Sequence, residues 1–148
     1  MPQPLRILSP IHKASRQIAL HLELSLEELG VGTIEGHLLS YLGSYAPCTV
    51  GELTRVLGLK RSTMTSVLDR LEGRELLSRE GDPDDRRSFR VQLTREGKLA
   101  TRNIGRHLRK FEREALSRIR PRDLAGFQSV MAAIAEVTQV TVREEGRR

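Results

Sequence analysis

The 148-residue sequence predicts a mainly α-helical protein with one small two-stranded β-hairpin. Three observations lead to this fold class. Apolar residues recur at helical spacing through most of the chain. Near the middle, two short helical segments meet at a glycine turn. After them, apolar and polar residues alternate on both sides of the turn-forming segment 81–85. A chain of this length can bury the core of one compact domain.

The first two elements are predicted to be helices. Ser9 is expected to cap the first helix, with Pro10 at its first position and Gly30 at its end. Thr33 is expected to cap the second helix, which the segment 44–48 ends. The apolar positions that recur at helical spacing in the two helices are Ile11, Ile18, Leu22, Leu26, Leu29, Ile34, Leu38, Leu39 and Leu42.

The clearest start signal is Thr49, followed three residues later by Glu52, which is the pattern of a capping box. It predicts a short helix from residue 50 to about 57, ended by Gly58. A second helix follows and ends near Gly73. Its inward positions are Met64, Val67, Leu68 and Leu71. Two short helices around a tight glycine turn are the helix-turn-helix arrangement.

The C-terminal third is predicted to contain two more helices. Thr94 is expected to start a long helix that runs to about Ile119 and is ended by Pro121. Residues 144–148 are expected to form a frayed tail. The apolar stripes of the two helices are Ile104, Leu108, Phe111, Ala115 and Ile119, then Leu124, Phe127, Met131, Ile134 and Val137.

The charge of the chain favours a polyanionic partner. The formal net charge is +6, and the positive excess lies in residues 60–148. No apolar run approaches the roughly 18 residues of a spanning helix, and residues 1–10 lack the apolar core of a secretory signal. The one cysteine, Cys48, cannot form an intrachain disulfide. We therefore expect a cytoplasmic protein that does not associate with membranes.

Three segments together resemble the MarR family of winged helix-turn-helix regulators. They are TVGELTRVLGL, RSTMTSVLDRLEGRELLSRE and DPDDRRSFRVQLTREG, which span residues 49–97. The resemblance implies a homodimeric transcriptional regulator, most often a repressor, that binds a pseudo-palindromic operator in double-stranded DNA and is released by a small-molecule effector. It further implies dimerisation and support helices in 1–45, a DNA-binding lobe in 46–95, and a long helix with a C-terminal dimerisation helix in 96–148.

The resemblance also implies a set of DNA-contacting residues. The helix from Arg61 to Arg70 would lie at the major groove, and the hairpin, or wing, would reach the minor groove. Asp85 and Arg87 match the Asp-x-Arg pattern of the family's wing, and we expect Asp85 to stabilise the wing, for example by pairing with Arg70. The candidate DNA contacts are Lys60, Arg61, Ser62, Thr63, Thr65, Ser66, Arg70, Arg86, Arg87 and Ser88.

Several features allow a second interpretation. Cys48 could sense oxidants, but an ordinary small residue is favoured. The pair His37 and His107 is a weak zinc candidate, and we expect neither a metal nor another cofactor. Tyr41 and Tyr45 could line an effector cleft but more often belong to a core. The basic residues of the long helix, for which a solvated face is favoured over a second DNA contact, are Lys98, Arg102, Arg106, Arg109 and Arg113.

Two other classes of function remain open at this point. A winged helix can serve as a protein-interaction module in which the basic patch is incidental. An enzyme is not expected, because the chain shows no nucleophile paired with a base, no phosphate-cradling glycine loop and no metal-ligand spacing.

Overall fold

The computed structural model describes residues 3–139, which form six helices and one small antiparallel sheet. The predicted tail at 144–148 lies outside the described residues. The fold class is confirmed. In chain order the elements are α1 (Leu8–Glu28), α2 (Thr33–Tyr45), β1 (Cys48–Thr49), α3 (Val50–Leu57), α4 (Arg61–Gly73), β2 (Leu77–Gly81), β3 (Phe89–Leu93), α5 (Arg95–Leu116) and α6 (Pro121–Thr138).

The sheet has one strand more than the sequence predicts. Strands β2 and β3 form the expected hairpin, with Leu77 opposite Leu93 and Gly81 opposite Phe89. The two-residue strand β1 pairs with the other side of β3, so the order is β1-β3-β2. This third strand attaches the wing to the start of α3, because β1 ends where α3 begins.

The core lies between α2, the helix-turn-helix and the hairpin. All four inward positions predicted for α4 are buried, as are Leu53 of α3 and Val91 of β3. The start of α3 is also as predicted: the Thr49 hydroxyl accepts a hydrogen bond from Glu52 N at 3.1 Å, and Gly58 ends the helix at φ +62°.

Two predicted helix caps are wrong. Helix α1 begins at Leu8, with Ile7 at the N-cap position, so Ser9 and Pro10 lie inside the first turn. Proline is tolerated there because the first N–H groups of a helix have no intrahelical acceptor. Helix α2 has Gly32 rather than Thr33 at its N-cap, and the Glu35 carboxylate accepts from Gly32 N at 3.2 Å.

The end of the long helix also differs from the prediction. Helix α5 ends at Leu116 rather than near Ile119, whose side chain is exposed. Pro121 starts α6 as its first helical residue instead of ending α5. Among residues 3–139, no helix combines the length and the apolar character that a membrane crossing requires.

Candidate nucleic-acid interface

Helix α4 has one face in the core and the opposite face in solvent. The inner face is fully buried. On the outer face, Ser62, Thr65, Ser66 and Asp69 are all exposed and follow one another at short helical spacings. Residues three or four apart project from the same side of a helix. The candidate contacts Lys60 and Arg61 lie at the start of the helix, where Arg61 is exposed, and Thr63 is half-buried beside this face.

Two hydroxyls on the outer face form local hydrogen bonds. Thr65 Oγ1 donates to the carbonyl of Arg61 at 3.0 Å, and Ser66 Oγ donates to the carbonyl of Ser62 at 3.1 Å. These bonds are local and exposed. A hydroxyl can rotate away from such a bond to contact a phosphate or a base edge.

Arg70 is engaged with helix α2. Its Nε lies 3.1 Å from Oε1 of Glu35, whose other carboxylate oxygen lies 3.6 Å from Arg74. Arg74 in addition donates to the carbonyl of Gly30 at 2.7 Å. The predicted pairing of Arg70 with Asp85 is therefore wrong, because the Glu35 carboxylate of α2 occupies that guanidinium. The contact joins residues 35 positions apart, which no local pattern in the sequence indicates.

Asp85 nevertheless shapes the tip of the wing. Its carboxylate accepts from Arg87 N at 2.9 Å, and its carbonyl accepts from Ser88 N at 3.0 Å. The loop is closed by a bond from Asp82 N to the carbonyl of Ser88 at 3.0 Å. The hydrogen bonds of Asp82 and Asp85 thus close the loop into a turn.

The tip presents two cations to solvent. Arg86 and Arg87 are exposed, and neither guanidinium forms an ion pair within the part of the chain that the structure describes. Ser88 beside them is half-buried. An exposed arginine on a loop can enter a narrow minor groove, where the negative potential is concentrated.

The base of the wing contains ion pairs that the sequence analysis missed. Arg90 on β3 lies 3.1 Å from Asp82 and 2.9 Å from Asp84. Arg79 on β2 lies 2.7 Å from Asp69 of α4, and its Nε donates to Glu72 at 2.9 Å. Strand alternation was the available signal, because Arg79 lies on the same face of β2 as the buried Leu77.

Arg79 is charged at any pH that the fold tolerates. The hydrogen bond to Glu72 raises the pKa of Arg79 above its ordinary value, and the bond to Asp69 adds to this effect while partial burial opposes it. This guanidinium is therefore a permanent positive charge placed between the wing and α4.

The other candidate residues Cys48 and Tyr41 are buried and packed within the fold. Cys48 is 1% exposed and pairs with Val91 in the sheet, so an oxidant has no direct access to it. Tyr41 is buried, its hydroxyl donates to Glu52 at 2.9 Å, and its ring lies 4.6 Å from that of Tyr45. Within residues 3–139, no three His, Cys, Asp or Glu side chains form a cluster that could hold a metal ion.

A cleft lies between α2 and α5. Its volume is about 350 Å³, and both hydroxyl and charged side chains line it. Of the five basic residues predicted on the surface of α5, Arg102 and Arg109 border this cleft. Ser40 Oγ is buried at the cleft without a hydrogen-bond partner among the described residues.

Known proteins resemble this chain in sequence and in fold. Residues 35–89 match the sequence model of the MarR family. YsmB, an uncharacterized HTH-type transcriptional regulator of Bacillus subtilis (strain 168), is 27% identical over 130 residues, which cover 85% of this chain and 89% of YsmB. MdtR, an HTH-type transcriptional repressor of the same organism, is 23% identical over 124 residues, which cover 84% of this chain and 80% of MdtR.

A solved structure shows the same fold. The protein in the crystal structure of the Staphylococcus aureus MepR-DNA complex superposes with a TM-score of 0.80 at 18% identity, over 90% of this chain and 98% of that one. The two short helices, the wing and the long helix occupy the order that the resemblance implied. Residues 35–89 therefore match the MarR family, and the fold over 90% of the chain is the winged helix-turn-helix fold of MepR.

Proposed function

We propose that this protein is a homodimeric repressor that binds a pseudo-palindromic operator in double-stranded DNA. The observation that carries the proposal is the combination of the exposed outer face of α4 with the two exposed arginines of the wing tip. A helix face of small hydroxyl side chains suits the major groove, and arginines on a neighbouring loop suit the adjacent minor groove. The MepR-DNA complex and the repressor MdtR support this assignment.

The proposed DNA contacts fall into two groups. Lys60 and Arg61 at the start of α4 are backbone contacts, because cations oppose the macrodipole at a helix N-terminus and a phosphate would compensate them. Ser62, Thr63, Thr65 and Ser66 contact bases or phosphates. Arg86, Arg87 and Ser88 form the wing contact. Arg70 joins the interface only by exchanging or sharing its bond with Glu35.

The dimer is supported by apolar surface that one chain leaves uncovered. No residue of α6 is buried, and Phe127 is 56% exposed. Leu20 and Leu24 of α1 are also exposed. A monomeric soluble protein rarely exposes this much apolar surface. In a two-fold dimer each such face would be covered by the partner, and the two α4 helices would lie about 34 Å apart, one turn of B-DNA.

Regulation of DNA binding by a small-molecule effector is supported by the cleft between α2 and α5. A small molecule bound there would contact the support helix α2 and the helix that follows the wing. A ligand shifts DNA affinity only when it binds the DNA-competent state and the released state unequally. We therefore propose this cleft as the effector site and expect small molecules that bind it to change operator affinity.

The test of the function is selection of bound fragments from a genomic DNA pool at two salt concentrations, followed by sequencing. An enriched palindrome with a steep fall of log affinity against log salt is expected, because phosphate contacts release counterions. Retention of DNA without enrichment would indicate an architectural binder. No retention would favour a protein-interaction module instead.

For the wing, we expect Arg87→Ala to weaken operator binding by about tenfold, or about 1.4 kcal/mol. If the side chain neutralises one phosphate, the slope of log affinity against log salt is expected to fall by about one. Because the side chain is exposed, the free energy of unfolding should change by less than about 0.5 kcal/mol. Anisotropy titrations with a labelled operator and urea denaturation measure the two effects.

The control for this variant is Arg120→Ala. Arg120 is an exposed arginine before α6 that pairs with Asp123 at 2.6 Å, far along the chain from the wing. The substitution removes the same charge and should leave operator binding within about twofold of wild type. A large loss of thermal stability in Arg87→Ala would instead identify Arg87 as a structural residue of the wing.

A further inference from the structure

Two carboxylates lie on the part of α4 that would approach DNA. Asp69 continues the outer face formed by Ser62, Thr65 and Ser66, and Glu72 follows three residues later. Their side chains are 55% and 39% exposed. Phosphates next to such groups would be repelled, since like charges placed opposite each other at an interface cost affinity. The outer face of α4 is therefore compatible with DNA only when these charges are compensated.

Arg79 supplies the compensation from a different element. It reaches across from β2, and its guanidinium bonds to both Asp69 and Glu72. Its side chain is only 27% exposed, whereas the wing-tip arginines are open to solvent. Arg79 is thus directed at the carboxylates of α4 and not into open solvent.

The contribution of these contacts to folding is expected to be small. Ion pairs with exposed partners stabilise a protein by about 0 to 1 kcal/mol. A cluster with two carboxylates and one guanidinium also leaves a net negative charge, which is a poor arrangement for stability alone. The effect of Arg79 should therefore appear in DNA binding and not in the free energy of unfolding.

We propose that Arg79 is a positioning residue for DNA binding: it bonds to Asp69 and Glu72 and offsets one of their two negative charges, so that the outer face of α4 and the wing can approach one duplex together. This inference rests on the proposed function. According to this inference, DNA binding by α4 requires a charged residue on a wing strand that does not itself contact DNA.

The test compares operator affinity among four proteins: wild type, Arg79→Gln, the double variant D69N/E72Q, and the triple variant D69N/E72Q/R79Q. We expect Arg79→Gln to weaken affinity by about tenfold. The double variant should bind at least as tightly as wild type. Removing Arg79 from the double variant should then have no effect, because no carboxylate remains to be neutralised.

Two further measurements separate charge from structure. Arg79→Lys keeps the charge and should bind within about threefold of wild type. The deficit of Arg79→Gln should shrink as salt rises from about 0.05 to about 0.5 M, since the Debye length falls below about 10 Å over this range. Arg120→Gln removes the same charge at a distant ion pair and serves as the matched control. Thermal midpoints are recorded for every variant.

Each other outcome overturns the inference. If Arg79→Gln binds like Arg120→Gln, Arg79 has no role in binding. If the deficit persists in the triple variant, Arg79 contacts DNA directly. If either the double variant or Arg79→Lys binds as weakly as Arg79→Gln, the ion pairs act by holding the wing against α4 and not through their charge. Absence of wild-type binding to the selected DNA would overturn the proposed function itself, which the wild-type titration reveals separately.

Discussion

The Gly97→Ala variant is expected to lose more than about 3 kcal/mol of its free energy of unfolding. Gly97 is buried in the first turn of α5, where the helix passes over the start of the wing. A Cβ atom added there would lie 1.8 Å from the carbonyl oxygen of Leu76 and 2.8 Å from its carbonyl carbon. These are backbone atoms, so no side-chain rotation can relieve the overlap.

The Leu76 carbonyl is also held in place. It accepts a hydrogen bond from Thr94 N at 3.2 Å, while the Thr94 hydroxyl caps α5 by accepting from Gly97 N at 3.0 Å. Relief of the overlap therefore requires that α5 move away from the hairpin and break this junction. Because α5 carries Ile104 into the core, the movement would also uncover apolar surface.

Urea denaturation followed by circular dichroism measures the destabilisation. Gly73→Ala is the matched control, because a Cβ at the end of α4 meets no atom within 4 Å and Gly73 needs no left-handed backbone. We expect this control to be neutral or slightly stabilising, since alanine is the better helix former by about 1 kcal/mol. If the free energy of unfolding of Gly97→Ala lay within about 1 kcal/mol of the wild-type value, the tight junction of α5 with the start of the wing would be refuted.

Phe127→Asp is expected to convert the proposed dimer into a monomer and to abolish detectable operator binding. The apolar residues of α6 recur along one face, yet in the single chain none of them is buried. Burying a phenylalanine side chain stabilises an interface by about 1.5 to 3 kcal/mol. Two-fold symmetry doubles the effect, and the carboxylate that replaces it would be desolvated twice. A monomer would bind only one half-site.

Analytical ultracentrifugation and operator titration check this result. Gln128→Asp is the control, because it adds the same charge at the neighbouring exposed position, about 100° around the helix. It should remain dimeric and bind normally. A dimeric Phe127→Asp protein would show that α6 does not form the interface, and retained operator binding by a monomer would contradict the paired half-site arrangement.

Local sequence signals predicted the elements of the winged helix-turn-helix well. As expected, Thr49 caps the start of α3, Gly58 ends it, and Thr94 caps the start of α5. In these cases the bonded partners lie within four residues of each other, so the residues near the helix end are enough to predict the bonds. The errors at Ser9 and Thr33 concern helix N-caps that lie one or two residues earlier, at Ile7 and Gly32, which is the usual uncertainty of a helix boundary.

The candidate site was predicted only in part. The outward face of α4 followed from the inward positions of the same helix, because one periodicity determines both. The partners of its charged groups did not follow. Glu35 reaches Arg70 from α2, and Arg79 reaches Asp69 from β2, in both cases across packed elements. From the sequence alone, each arginine could equally have paired with the carboxylates of the turn segment 82–85.

The sequence by itself determined the class of the protein, the order of its helices, the hairpin and the positive charge of its second half. These properties depend on periodicity, capping and composition, which act over a few residues or over the whole chain. Only the tertiary structure decided which charges meet: Arg70 with Glu35, Arg90 with Asp82, Arg79 with Asp69 and Glu72. Ion pairs depend on distances of a few ångströms between elements, and those distances exist only once the core has packed.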